Sequence, residues 1–80
     1  MTNSGELVRT LRKRAGFTQQ DLANHTGTAM SSVYKWEKGR LPEPKVLIML
    51  IRLARAMDEV QLAKSLEPYL AKQLGTPVRF

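Results

Sequence analysis

No stretch of this sequence alternates apolar and polar residues as a half-buried strand would. Almost every segment instead spaces its apolar side chains three and four residues apart. That pattern predicts a packed set of short helices. Leu7, Val8, Leu11 and Ala15 form a stripe that predicts a first helix over residues 4–15, capped by Asn3 or Ser4. Gly16 stops it, and Phe17 can fold back over its end. Arg9, Arg12, Lys13 and Arg14 take the remaining sides. Thr18-Gln19-Gln20-Asp21 has the form of a capping box, which predicts a second helix of two turns that buries Leu22 and Ala23 and ends near His25. Gly27 can adopt the left-handed backbone of a tight reversal. Thr28 can cap a third helix over about residues 29–38, with Gly39 as its stop.

Leu41-Pro42-Glu43-Pro44 reads as a stiff connection, with Pro44 in the first turn of a fourth helix that runs to about Met57. Apolar residues from Val46 to Met57 go most of the way round that helix, which must therefore be buried on several sides. Asp58 is expected to start a fifth helix carrying Val60, Leu62, Ala63, Leu66, Tyr69, Leu70 and Leu74, with Pro68 kinking or dividing it. Gly75-Thr76-Pro77 should end helical structure and leave Val78-Arg79-Phe80 loosely held. No internal repeat interrupts the reading. The expected fold is all-α: one compact five-helix domain over residues 1–80, with 4–57 as its core part and 58–80 as a C-terminal helix and tail.

The chain has 80 residues, of which 42% are apolar, enough for one small globular domain. It has no cysteine, which excludes a disulfide framework and a thiolate zinc site, and its one histidine, His25, cannot build a metal cluster. The N-terminus does not read as an export signal. The longest apolar run, Val46 to Ile51, is six residues, against the ~20 that span a bilayer. A soluble cytoplasmic protein is expected. The charge is more informative. Residues 1–57 hold ten basic and four acidic side chains, whereas 58–80 hold three of each, so the whole formal excess of +6 lies in the first part. A polyanionic partner is expected there and not on the tail.

The second and third predicted helices are joined by three or four residues centred on Gly27, the spacing of a helix-turn-helix whose second helix enters the DNA major groove. TQQDLANHTGTAMSSVYKWEKGR resembles the helix-turn-helix of the lambda-repressor-like family, also called the XRE or Cro/C1 type. The marks are the Thr-Gln opening, Leu-Ala in mid-helix, the turn glycine, the β-branched Val33, and Trp-Glu-Lys-Gly at the end. The likeness covers roughly residues 4–57, and it implies a DNA-binding domain.

At ~100° per residue, Ala29, Val33 and Trp36 share one face of the third helix, and Met30, Ser31, Tyr34, Lys35 and Lys38 gather on the other. Methionine suits a thymine methyl, serine several bases, and lysine guanine O6 or N7. Tyr34 either meets DNA or packs on the surface. The resemblance implies Met30, Ser31 and Lys35 as principal base readers, without the glutamines of some phage repressors. Gln19, at the positive end of the second helix, is a phosphate candidate, as it is in similar proteins. Thr28, Ser32, Lys38 and Arg40 are further candidates for DNA contact. The resemblance also implies a structural ion pair between Arg12 and Glu37.

No catalytic constellation is present, because no base is placed to activate a serine and no strand leads into a glycine-rich phosphate loop. No cofactor and no small-molecule ligand is expected. Basic residues spread over several helices argue against a membrane-surface protein. The leading reading is a repressor or autoregulator that binds a palindromic double-stranded operator as a homodimer, with Leu62, Leu66, Tyr69 and Leu70 as candidate interface. The alternative is an antitoxin that binds a partner protein as well as its own promoter. Similar small proteins also serve as phage repressors, restriction controllers and autoregulators of anti-CRISPR operons.

Overall fold

The structure, a computed structural model, describes residues 3–75, and among these there are five helices and no strand. They are α1 (Ser4–Arg14), α2 (Gln19–Thr26), α3 (Met30–Glu37), α4 (Pro44–Ala56) and α5 (Val60–Leu74). The all-α class and the order of helices agree with the sequence pattern. Thr76, Pro77 and the segment from Val78 to Phe80 lie outside the described residues. Packing divides the chain into two units, Met1–Leu41 and Pro42–Phe80.

In the first unit Asn3, not Ser4, caps α1: its Oδ1 accepts the Glu6 N–H at 2.9 Å, while Ser4 is buried inside the first turn. The capping box of α2 is complete. Thr18 Oγ1 accepts the Asp21 N–H at 3.1 Å, and Asp21 Oδ2 accepts the Thr18 N–H at 2.9 Å. Val8, Leu11, Leu22, Ala23, Val33 and Trp36 are buried. α3 packs against both α1 and α2.

The first four helices end in the same way. An amide just beyond the last turn returns to a carbonyl inside it: Phe17 to Arg12 at 3.0 Å, Thr28 to Ala23 at 2.9 Å, Arg40 to Lys35 at 3.0 Å, Glu59 to Ala54 at 2.8 Å. This closure satisfies carbonyls that a helix end leaves without partners, and it needs one left-handed residue. In the first three closures that residue is glycine; in the fourth it is Asp58, at φ 60. Asp58 thus closes α4 instead of opening α5, which corrects the expectation from sequence. Aspartate is a common N-cap, but it also tolerates the left-handed region better than most side chains.

In the second unit α4 and α5 pack along much of their length. α4 begins with Pro44 in its first turn and buries Val46, Leu47, Leu50, Ile51 and Ala54. α5 presents Ala63, Leu66 and Leu70, all fully buried. Pro68 does not divide α5, which continues through it to Leu74. The proline is exposed, so water can satisfy the Lys64 carbonyl that loses its amide donor. Arg55 pairs with Glu67 at 2.9 Å, and Gln73 Nε2 donates to the Pro42 carbonyl. The four residues expected at a dimer surface differ in burial. Leu66 and Leu70 have no exposed area to offer a second subunit, whereas Leu62 and Tyr69 are half-buried.

Candidate nucleic-acid interface

Between α2 and α3 the backbone reverses at Gly27, which sits at φ 67. A β-carbon there would meet no neighbour, so the left-handed backbone and not crowding favours glycine. Thr26 Oγ1 donates to the Leu22 carbonyl at 2.9 Å and lies 2.8 Å from Thr28 Oγ1. With its single proton spent on a carbonyl, Thr26 accepts the proton of Thr28. Thr28 is therefore tied to the turn and does not cap α3. The N-cap is Ala29, which offers no side-chain bond and is exposed, in contrast to its expected place on the buried face.

The two faces of α3 then separate cleanly. Val33 and Trp36 are buried, while Met30 is 49% and Tyr34 53% exposed. Ser31 and Lys35 are exposed with them, and Ser32 is half-buried at the edge. Lys38 sits just past the last turn with its Nζ 5.3 Å from the centre of the Tyr34 ring, in cation–π range. Arg40, beyond Gly39, is exposed. Each of these side chains is held on a rigid helix or its closing turn.

Behind this face the Glu37 carboxylate links three elements. Its Oε2 accepts the Arg12 Nε–H at 2.6 Å, and Oε1 accepts Arg12 Nη2 at 3.2 Å and Gln19 Nε2 at 3.4 Å. Arg12 Nη1 donates in turn to the Phe17 carbonyl at 3.0 Å. The pair is mostly shielded, with the side chains 14% and 8% exposed. A two-pronged guanidinium–carboxylate contact of this kind fixes orientation as well as distance. It joins α1 to α3 and brings the Gln19 amide to the same place.

Two residues complete the geometry without having been singled out in the sequence. Gly5 lies where α1 touches the end of α3, and a β-carbon there would stand 2.6 Å from the Glu37 carbonyl oxygen. Arg9, one turn before Arg12, lines a surface cavity of about 240 Å³ together with Arg12, Gln19, Tyr34, Glu37 and Lys38. Glu37 compensates Arg12 there, and Arg9 and Lys38 leave the cavity positive. The i, i+3 spacing of Arg9 and Arg12 was the available signal. At the start of α2, the Thr18 backbone N–H, followed by its hydroxyl, holds the Asp21 carboxyl below the usual carboxylate range. Among the described residues no group of acidic, cysteine or histidine side chains could hold a metal ion. No helix of the described residues is long and apolar enough to cross a membrane.

Two short helices about a left-handed turn, the second braced from behind and exposed in front, define a helix-turn-helix protein. A family model described as a helix-turn-helix domain matches residues 5–64, and the chain belongs to that family. The match agrees with the likeness to lambda-repressor-like proteins, and it marks a DNA-binding domain of the kind used in transcription regulation. No curated protein and no solved structure matches the chain.

Proposed function

We propose that the protein is a sequence-specific transcriptional repressor or autoregulator that binds a two-fold operator as a homodimer. The observation that carries this reading is the front of α3, where Met30, Ser31, Tyr34 and Lys35 stand exposed opposite the buried Val33 and Trp36. These side chains enter the major groove, and Lys35 donates to guanine O6 or N7. Phosphates flank them. One backbone strand runs past the amino end of α2, within reach of Gln19, Arg9 and Lys38. The same strand or its partner meets Ser32 and Arg40. Contacts of this second kind fix register but carry no sequence information.

The experiment is to select binding sites from random DNA with the whole chain, then compare two variants by fluorescence anisotropy over a range of salt. Lys35→Ala should cost about 1–3 kcal/mol per half-site on the selected sequence and little on random DNA. Arg40→Ala should weaken binding to both and flatten the salt dependence. With the phosphate contacts of two subunits, affinity should fall at least ~10³-fold between 50 and 200 mM salt. Identical specificity profiles for the two variants would refute the division into base readers and phosphate binders.

A further inference from the structure

The large hydrophobic side chains exposed among the described residues are Met30, Tyr34, Val60 and Leu74. Those in the first unit are therefore both on α3, and they stand four residues apart. At that spacing two side chains lie on one face of a helix with their β-carbons about 5–6 Å apart. Apart from the small Ala29, the exposed side chains of α3 and its closing turn beside them are polar or basic: Ser31, Lys35, Lys38 and Arg40. An apolar step set in a basic, hydroxyl-bearing surface is poorly matched to another protein's core. It is well matched to a DNA groove, whose walls are anionic and whose floor carries one apolar group, the C5-methyl of a pyrimidine.

We propose that Met30 and Tyr34 together form a methyl-reading step, taking the C5-methyl groups of pyrimidines on neighbouring base pairs in the major groove. The proposal rests on the DNA-binding reading above and adds to it the chemical class of base that this part of the helix selects. Met30 suits the task because an unbranched thioether moulds to a small apolar knob. Tyr34 is steadied from one side by the Lys38 ammonium, 5.3 Å from its ring centre, and a steadied ring loses less freedom on binding. Thymine and 5-methylcytosine carry the same methyl in the same place, so either can fill the step. In unmodified DNA the source is thymine.

The test uses the whole chain and a site enriched from unmodified random DNA. Each thymine of the site is replaced in turn by uracil, which removes only the methyl. At least one position per half-site should weaken about fourfold, the equivalent of ~0.8 kcal/mol for one buried methyl-sized group. Met30→Ala or Tyr34→Ala should weaken binding to the enriched site and abolish the uracil penalty at that position. Both side chains are exposed, so these variants are expected to fold, and circular dichroism checks it. Placing 5-methylcytosine instead of cytosine at the sensitive position should gain a similar factor, which separates the methyl from the rest of the base. Uracil tolerated everywhere, or a uracil penalty unchanged in both variants, would overturn methyl reading and leave DNA binding intact. If no site is enriched at all, the DNA-binding reading fails and the methyl step falls with it.

Discussion

Gly5 lies where α1 meets the end of α3, with the Glu37 carbonyl oxygen 2.6 Å from where a β-carbon would stand. The obstacle is backbone, so it cannot swing aside as a side-chain tip would. Gly5→Ala ought to improve α1 by about 1 kcal/mol of helix propensity. Overpacking should reverse that sign, for a net loss of about 1–2 kcal/mol in urea unfolding. A gain in stability would show that α1 can shift at no cost. The same contact explains what the sequence conceals at this scale. A glycine in a first turn looks like a minor propensity flaw, and Arg9 like one more surface cation. Their positions matter only once α1 is laid against α3 and α2. The front of α3 was legible because its exposed side is set by the periodicity of one helix alone. Arg12 and Glu37, 25 positions apart, were paired only through the family resemblance.

At the scale of elements, most helix boundaries were legible because caps and stops are local chemistry. The exceptions have local causes too. Thr28 is a good capping residue by type, but its hydroxyl is drawn back to Thr26. Asp58 was taken for the start of a helix, yet it provides the left-handed residue that ends one. That gives a paired prediction. Asp58→Gly should relieve the left-handed strain and raise the melting temperature, by up to about 1 kcal/mol of stability. Asp58→Ala keeps the β-carbon and loses the polar group, so it should lower the melting temperature. The capping box of α2 gives a prediction in pH. Because the folded state depresses the Asp21 pKa, ionised Asp21 stabilises the fold at pH above its unfolded value. That contribution fades as pH falls through the folded value. Asp21→Ala should therefore destabilise the protein near neutral pH, and the deficit should shrink on acidification, as read from thermal melts at a series of pH values.

For the molecule as a whole, charge and apolar surface have separate addresses. The excess of +6 belongs to residues 1–57, and residues 58–80 are balanced. A balanced segment is where two copies of a basic protein can approach with least repulsion, which supports placing the proposed dimer contact on α5. The stripe alone could not tell which of its leucines face α4. Since Leu66 and Leu70 are buried in that packing, we place the proposed contact on Leu62 and Tyr69, with the exposed Val60 and Leu74. Replacing Leu62 and Tyr69 by glutamate should halve the mass seen by light scattering, with helicity kept. Leu66→Asp should instead lose helicity, having opened the α4–α5 core. A dimer that survives the first pair would move the interface off α5.

The main helix packings, α2 with α3, α4 with α5 and α1 with α3, join segments that are near neighbours along the chain. Little loop entropy opposes such contacts, and chains built this way fold in about microseconds to milliseconds. A helix that loosens on leaving DNA can then be rebuilt before the next encounter. A newly made copy would likewise fold in that time, before the proposed dimer assembles. If the protein controls its own synthesis, as proposed, the delay in that loop would lie in making the chain, pairing it and finding the site, and folding would add almost nothing to it.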